Sequence, residues 1–309
     1  MPSRHRSKES PPEPHTVRVR APAKINLFLQ VTARRPDHYH ELFTLMCPIG
    51  LFDTLSLTFG VKEPLTICNH PDVPVDETNL ARRAADVYLS AVDRRDGIRI
   101  AIDKEIPVAS GLGGGSSNAA SVLLAMNRYY GSPLSPERLM EIGRNIGADV
   151  PFFLFRHPAI ATGIGEKLVR FSGLKPYRVL LIYPGFKVST AETFKSLNLR
   201  LTNCKKNLKN FSFNKTAFDA GRHLCNDLET VTASRFPEIR AIKSMLLQLG
   251  AIGAAMSGSG SSVFGLFIDR ADAETAYAHA VTQRPNWRVF LVDLLNGEPE
   301  SLAAGKLTD

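Results

Sequence analysis

The chain has 309 residues, of which 44% are hydrophobic and 22% are charged, as in an ordinary globular protein. This length suits one large domain or two ordinary ones, and the composition excludes a disordered chain or a fibrous repeat. No stretch approaches about 18 consecutive apolar residues, so no membrane span is expected, and the polar N-terminus does not resemble a secretory signal.

Taken in chain order, the sequence alternates between strand and helix patterns. Residues 1–16 are rich in proline, serine and charge, which predicts a disordered tail. Period-two alternation and short apolar runs predict strands at 17–31, 51–59, 98–102 and 177–183. Helical spacing of apolar residues predicts helices at 79–92, 136–146 and 237–249. We expect Asp76 or Thr78 to cap the first of these helices. The mixture predicts an α+β fold with a domain boundary near residue 172.

The net charge of +8 is compatible with nucleic acid or with small anionic substrates. Its densest basic stretch is 195–215, which is either a solvated surface insertion or a contact strip for a polyanion. That stretch contains Lys195, Arg200, Lys205, Lys206, Lys209 and Lys215.

The cysteines are Cys47, Cys68, Cys204 and Cys225. None of them stands at a C-x-x-C spacing, so neither a zinc site nor a redox pair is indicated. We expect four reduced thiols in a cytoplasmic protein.

The strongest local signal is the glycine-rich loop 111–118, GLGGGSSN, which runs directly into a predicted helix. Glycines let the backbone approach a bulky anion, and the first free N–H groups of a helix point towards it. Ser116 and Ser117 can cap the helix or donate to phosphate oxygens. The alternative is a flexible turn with an ordinary serine cap. The known P-loop, dinucleotide-binding and protein-kinase strings are absent, so a nucleotide phosphate here implies another fold.

Other segments carry weaker signals. Residues 256–262, MSGSGSS, offer amides and hydroxyls to a ligand, or simply form a tight turn before a strand. Lys24 and Asn26 share one strand face in an otherwise apolar run, which favours a partner or a task for the lysine over an exposed edge strand. Asp149 lies in a loop among small and apolar residues, where it is either a base or a turn-former.

The segment 37–41, DHYHE, allows three interpretations. His38 and His40 lie two residues apart on one strand face, so they could hold a metal ion. Tyr39 and His40 could instead recognise a ligand, or the segment could simply pack.

Three of these segments resemble the motifs of the GHMP kinase superfamily of small-molecule kinases, in the same order: PAKINL at 22–27, GLGGGSSN and MSGSGSS. A narrower resemblance is to the branch of that superfamily whose acceptor is a cytidine diphosphate-linked sugar alcohol. It rests on PAKINL and on RRPDHYHEL (34–42), LFDTL (51–55), DETNL (76–80), NIGADVPFF (145–153) and CNDLE (225–229). Together these segments cover about residues 17–270.

The resemblance implies an α+β, two-lobed GHMP kinase fold with the active site in the cleft. The N-terminal ATP-binding lobe, 17–172, would be ribosomal-protein-S5-domain-2-like, and the C-terminal substrate lobe, 173–309, would be ferredoxin-like. ATP with Mg²⁺ would phosphorylate the 2-hydroxyl of the small-molecule acceptor, with no nucleic acid or membrane as partner and with a monomer or homodimer as the assembly. The alternatives are another acceptor, such as mevalonate or homoserine, or a basic nucleic-acid-binding protein.

The resemblance also implies roles for individual residues. Asp149 would be the catalytic base, and Lys24 beside it would keep it ionised and stabilise charge on the transferred phosphoryl group. Asn26 would hold the sugar-alcohol part, while Tyr39 and Phe194 would sandwich the cytosine and His40 would contact its edge. The residues implied at the nucleotide are Asn79 and Lys104 along the adenosine, Pro107, Gly111, Gly113, Gly114, Gly115, Ser116 and Ser117 around the phosphates, and the turn 257–260.

Two points concern the details of that site. The Mg²⁺ ligands are not identified, and Ser117 is the candidate. The family commonly has glycine where this chain has His38, so a positive φ at this position would cost about 1 kcal/mol in strain. Such strain would affect the geometry of the neighbouring Tyr39 and His40.

Overall fold

The computed structural model describes residues 14–198, 204 and 218–296. Most of the predicted tail and most of the basic segment 195–215 lie outside this range. At the N-terminal end, His15 and Thr16 already belong to the first strand, whereas the sequence placed them in the tail.

The strands are β1 (His15–Arg34), β2 (His40–Val61), β3 (Leu65–Cys68), β4 (Gly97–Asp103), β5 (Ala159–Gly163), β6 (Lys167–Arg170), β7 (Arg178–Tyr183), β8 (Cys225–Asn226), β9 (Gly253–Met256), β10 (Val263–Phe267) and β11 (Arg288–Asp293). The helices are α1 (Leu80–Ala91), α2 (Gly114–Tyr129), α3 (Pro136–Ile146), α4 (Val150–Phe155), α5 (Thr190–Lys195), α6 (Ala220–His223), α7 (Glu229–Arg235), α8 (Glu238–Gln248) and α9 (Arg270–Ala280).

The first sheet has the order β3-β4-β2-β1-β8, and β5 and β6 extend it from β2. Its centre is the long antiparallel pair β1 and β2. Residues 15–20 of β1 alternate between partly buried and exposed, whereas residues 21–31 are buried throughout. The reason is that α1–α4 cover one face of this sheet and the second sheet covers part of the other. The alternating and apolar halves of the predicted strand therefore belong to one element with two environments.

The second sheet is antiparallel, with the order β11-β7-β10-β9. One face packs against β1 and β2 of the first sheet through side chains such as Ile25, Leu181 and Phe264. Its other face is covered by α8 and α9, which contribute Ile242, Leu246 and Ala276. The two-residue strand β8 pairs with β1, so a segment that follows β7 in sequence completes the first sheet.

The predicted helices are confirmed as α1, α3 and α8, but the predicted caps are wrong. Asn79 is the N-cap of α1, and its Oδ1 accepts the N–H of Ala81 at 2.9 Å. Asp76 instead binds the backbone and hydroxyl of Thr78 in the preceding turn, so neither residue reaches the helix. For α2 the N-cap is Gly113 in the left-handed conformation, with no side-chain cap, because the helix begins before both serines.

One strand was not predicted, and one expectation is wrong. Strand β9 leads into the segment 256–262 and pairs with β10 as a hairpin, so the turn expected there joins two strands. Small residues suit β9 since a Cβ at Gly253 would come within 2.7 Å of the Ala220 carbonyl. Cys204 and Cys225 form a disulfide with Cα atoms 5.5 Å apart, which contradicts four reduced thiols, because the fold brings distant cysteines together.

Cys47 and Cys68 are free. No helix in the described ranges has the length and hydrophobicity needed to cross a bilayer.

Candidate active site

A cavity of about 680 Å³ collects most of the residues that the sequence singled out. This size is in the range of small-ligand sites. Its lining includes Lys24, Asn26, Asn79, Lys104, Pro107, Gly111, Gly113, Gly114, Gly115, Ser116, Asp149 and Phe194. Ser117 is fully buried behind this wall. Tyr39 and His40 are not part of the lining.

Two glycine-rich loops meet at one wall of the cavity. Gly111 has a φ of 82°, and a Cβ there would lie 2.0 Å from the carbonyl oxygen of Ser257. Ser257 Oγ donates to the carbonyl of Gly111 at 3.0 Å, and the N–H of Ser262 donates to the carbonyl of Ser110. Only glycine permits this approach, which holds the turn 257–260 against the loop preceding α2.

The first turn of α2 borders the cavity at Gly114 and Gly115. Its backbone N–H groups have no partners within the helix, so this end carries partial positive charge and can bind an anion. A Cβ at Gly114 would lie 2.9 Å from Nζ of Lys104, so the lysine ammonium is close to the same turn. The wall is thus electropositive and lacks bulky side chains.

Two buried oxygens follow in the same helix. Ser117 Oγ and Asn118 Oδ1 have no hydrogen-bond partner, although Ser117 is fully buried and Asn118 is 3% exposed. Asn118 also lines the cavity. Unpartnered buried polar atoms cost about 1–3 kcal/mol, which a ligand can recover. Asn118 was not among the residues predicted from the sequence, although a lone amide at an alanine-rich helix start is a visible signal.

Lys24 and Asp149 lie together on the cavity wall. Nζ of Lys24 is 3.5 Å from Oδ2 of Asp149, and it also donates to Oδ1 of Asn26 at 2.7 Å. Asp149 occupies the N-cap position of α4, but its side chain makes no cap hydrogen bond. The carboxylate is one-third exposed, whereas the lysine side chain is nearly buried. The carboxylate is therefore available to a ligand. A residue that only forms a turn or a cap would not need this exposure, so the geometry favours the base over the turn-former.

Lys104 is held by a carboxylate that sequence analysis did not single out. Its Nζ lies 2.9 Å from Oδ2 of Asp53, and both side chains are buried. Asp53 also accepts the N–H groups of Glu105 and Ile106. Burial lowers the pKa of Lys104, and the charge of Asp53 opposes that shift. The signal was present in the LFDTL segment, where Asp53 interrupts a strand pattern.

Asn79 lines the cavity but uses both ends of its amide within the protein. Oδ1 caps α1, and Nδ2 donates to the carbonyl of Pro74 at 2.6 Å. One proton of Nδ2 is left for a ligand.

The residues predicted to bind the cytosine ring are only partly brought together. The ring of His40 stacks on that of Phe194, with centroids 5.1 Å apart and planes 25° from parallel. Tyr39 is 59% exposed. Burial and the charge of Arg34 lower the pKa of His40. The φ of His38 is 67°, the positive value for which a strain cost was expected, in a turn closed by the N–H of Arg35 donating to the carbonyl of Tyr39.

The metal interpretation of His38 and His40 gains no support. In the part of the chain that the structure describes, no group of three or more His, Cys, Asp or Glu residues is placed to hold a metal ion.

Comparison with known proteins agrees with this architecture. The family model for the GHMP kinases N terminal domain matches residues 79–157, and that for the GHMP kinases C terminal matches residues 205–284. The 4-diphosphocytidyl-2-C-methyl-D-erythritol kinase of Syntrophotalea carbinolica is 48% identical over 89% of this chain and 98% of its own length. The enzyme of the same name from Geobacter metallireducens is 45% identical over 90% and 98% of the two chains.

Solved structures give the same result. A crystal structure of 4-(cytidine 5'-diphospho)-2C-methyl-D-erythritol kinase superposes with a TM-score of 0.76 at 34% identity, covering 91% of this chain and all of that one. Homoserine kinase from Cytophaga hutchinsonii superposes with a TM-score of 0.70 at 17% identity over 92% and 95% of the chains, which shows a shared fold alone. The chain has the two-lobed GHMP kinase fold, and it belongs to the 4-diphosphocytidyl-2-C-methyl-D-erythritol kinase family.

Proposed function

We propose that this protein transfers the γ-phosphoryl group of ATP to the 2-hydroxyl of 4-diphosphocytidyl-2-C-methyl-D-erythritol, in the non-mevalonate route to isoprenoid precursors. The observation that carries the proposal is the Lys24–Asp149 pair, which faces the same cavity as the glycine loop and the electropositive start of α2. The names of relatives at 48% and 45% identity support the choice of acceptor.

The glycine loop and α2 suit the phosphates of ATP, because they offer backbone N–H groups without steric bulk. Asn79 and Lys104 would lie along the nucleoside, on the wall formed by α1 and the end of β4. Oxygen atoms are the ligands that Mg²⁺ prefers, so the unpartnered Oδ1 of Asn118, which lines the cavity, fits a cation there. Ser117, the candidate from the sequence, also has an unpartnered oxygen, but it lies behind the wall and would have to turn towards the cavity to contact the cation. When bound, Mg²⁺ would neutralise charge on the phosphate oxygens.

In the proposed mechanism, Asp149 Oδ2 accepts the proton of the acceptor hydroxyl as the hydroxyl oxygen attacks the γ-phosphorus. The bond from that phosphorus to the β,γ-bridging oxygen breaks, and ADP leaves with the electron pair. Phosphoryl transfer has a loose transition state, so positioning and charge stabilisation supply most of the catalysis. Lys24 is suited to both tasks, because its ammonium lies between the carboxylate and Asn26. Asn26 would hold the sugar-alcohol part from the same strand.

Recognition of the cytosine would use Phe194, Tyr39 and His40. Phe194 lines the cavity, and its ring is partly covered by His40. In our proposal the base takes its place between Phe194 and Tyr39, and His40 turns from stacking to a hydrogen bond with the edge of the base. An acceptor without a nucleobase, such as mevalonate, would not require His40 to move.

The finer fold assignments are part of the same proposal. We assign a ribosomal-protein-S5-domain-2-like lobe to 17–172 and a ferredoxin-like lobe to 173–309. The start of the second sheet at Arg178 supports the boundary between them. Strand β8 is the part of the second lobe that pairs back onto the first.

The test is ADP release with ATP and Mg²⁺ in the presence of the cytidylyl acceptor, mevalonate, homoserine or no acceptor. We expect turnover with the cytidylyl acceptor alone. Asp149→Asn should abolish turnover while keeping ATP binding in calorimetry, and the control Asp86→Asn, an exposed carboxylate on α1, should leave both unchanged. Phe194→Ala should raise KM for the cytidylyl acceptor far more than KM for ATP.

Each result has a distinct meaning. Turnover with mevalonate or homoserine would refute the acceptor but keep the chemistry at Lys24 and Asp149. Near-normal turnover of Asp149→Asn would remove this residue from the role of base. Equal effects of Phe194→Ala on both KM values would count against stacking of the cytosine.

A further inference from the structure

A chain of hydrogen bonds runs from the backbone of β1 to the Lys24–Asp149 pair. It passes through Thr44, which lies outside the motifs PAKINL and NIGADVPFF that contain Lys24 and Asp149. The hydroxyl of Thr44 donates to the carbonyl of Phe28 at 2.6 Å, and Nδ2 of Asn26 donates to Thr44 Oγ1 at 2.9 Å. The ammonium of Lys24 then donates to Oδ1 of Asn26 at 2.7 Å and lies 3.5 Å from Asp149.

The direction of every bond in this chain follows from one fixed point. The carbonyl of Phe28 only accepts, so the single hydroxyl proton of Thr44 is committed to it. The oxygen of Thr44 must therefore accept, which places the NH₂ group of Asn26 against it. The amide oxygen of Asn26 then faces the ammonium of Lys24. Thr44 thus sets which way the amide of Asn26 faces. The assignment of the amide oxygen and nitrogen follows from hydrogen-bond chemistry.

Burial makes this arrangement consequential. Thr44 and Asn26 are each 2% exposed and Lys24 is 4% exposed, so water has little access to replace a lost partner. The strands also place the groups precisely. The register of β1 and β2 shifts between Asn26 and Phe28, which brings Thr44 of β2 within reach of both. Such bulges re-aim side chains next to functional sites.

We propose that Thr44 is a positioning residue for the phosphoryl transfer, acting through Asn26 to hold the ammonium of Lys24 beside Asp149. Without its hydroxyl, Nδ2 of Asn26 loses its acceptor and faces a methyl group, so the amide is no longer anchored on that side and its Oδ1 can move away from the ammonium, which releases Lys24 from its place. The kinetic part of this inference rests on the proposed function, whereas the arrangement of Lys24 does not.

The experiment compares the wild type with Thr44→Val, which replaces the hydroxyl by a methyl group, and with Thr44→Ser, which restores the hydroxyl. The control is Thr66→Val on β3, because Thr66 Oγ1 is also buried but has no hydrogen-bond partner. If Thr44→Val does not fold by circular dichroism, Thr44→Ala takes its place.

We expect Thr44→Val to lower kcat on the order of 100-fold, as for other misplacements of a reacting group, with KM for ATP unchanged. Thr44→Ser should recover most of the loss, and Thr66→Val should resemble the wild type. The second readout needs no turnover. In protein labelled with ¹³Cε-lysine, the NMR signal of Lys24, assigned with Lys24→Arg, should move in Thr44→Val and return in Thr44→Ser.

A purely structural role predicts another pattern. It would lower the melting temperature of Thr44→Val and leave kcat of the folded fraction and the Lys24 signal unchanged, and that result would overturn the proposal. Equal kcat values for the Val and Ser variants would do the same. A wild type without turnover on the cytidylyl acceptor would instead refute the proposed function, while the Lys24 signal would still decide the role of Thr44.

Discussion

Asp53→Asn removes the counter-charge of a buried ammonium while keeping the shape of the side chain. Asp53 is fully buried, the side chain of Lys104 is 4% exposed, and their charged atoms are 2.9 Å apart. The asparagine oxygen can still accept the N–H groups of Glu105 and Ile106, but its NH₂ group replaces Oδ2, so Lys104 loses both its counter-charge and that acceptor. Removing one partner of a buried ion pair costs about 3–5 kcal/mol, and we expect a loss of this size at pH 7.

The pH dependence separates this cause from a simple packing defect. In the wild type, burial lowers the pKa of Lys104 and Asp53 counteracts the shift. In the variant the opposing charge of Asp53 is gone and burial dominates, so we expect the lysine to release its proton in the folded state. Deprotonating a lysine of ordinary pKa costs about 5 kcal/mol at pH 7 and about 2 kcal/mol at pH 9, because each pH unit below the pKa adds about 1.4 kcal/mol. These values are the upper limit of the loss from the unpaired charge.

The sign of the effect follows from proton counting. Below its ordinary pKa the unfolded lysine keeps its proton, while the folded variant does not. The unfolded state of the variant therefore binds more protons, so the stability of Asp53→Asn rises with pH and the deficit shrinks.

The assay is urea unfolding of the wild type, Asp53→Asn, Lys104→Met and the double variant at pH 7 and pH 9. The double variant should recover much of the loss, because neither charge remains. A loss below about 1 kcal/mol at pH 7 would refute the reasoning about the buried charge, since it lies well under the cost of breaking a buried pair. A loss that does not shrink at pH 9 would point to packing instead.

The other predictions concern the backbone and the cysteines. His38→Gly should raise the unfolding free energy by up to about 1 kcal/mol, because relief of left-handed strain exceeds the entropy that glycine adds to the unfolded chain. The control His38→Ala should bring no gain. A glycine variant that is less stable than the wild type in urea unfolding would contradict this prediction. Reduction of the Cys204–Cys225 disulfide, which joins residues 21 apart in sequence, should lower the unfolding free energy by about 3 kcal/mol. The stability of Cys204→Ser should not change with dithiothreitol. An equal response of the wild type and the variant to dithiothreitol would show that the disulfide is not the cause.

Local patterns were sufficient for much of the fold. The helices at 79–92, 136–146 and 237–249 were predicted within a residue or two, because amphipathic spacing records which face is buried. Caps were harder, since Asp76, Thr78 and Asn79 are all good capping residues and only the backbone path decides among them. The interior position of Ser116 and Ser117 likewise depends on where the glycine loop ends.

The site divides in the same way. Lys24, Asp149 and the glycine loop were visible in the sequence, because a charge in an apolar run and a cluster of glycines are unusual locally. Asp53 and Thr44 were not singled out, since nothing beside them in the sequence names the side chains they contact. Their importance comes from partners distant in sequence, 51 residues away for Lys104 and 18 residues away for Asn26.

The sequence by itself determined the alternation of elements, the small-residue loops and the positions of the reactive groups, because these depend on side-chain type and spacing along the chain. The tertiary structure decided which polar groups meet. It paired Cys204 with Cys225 and stacked His40 on Phe194. It also left Ser117 and Asn118 without partners. The physical reason is that hydrogen bonds, ion pairs and stacking act over a few ångströms in space, and only packing brings distant parts of the chain that close.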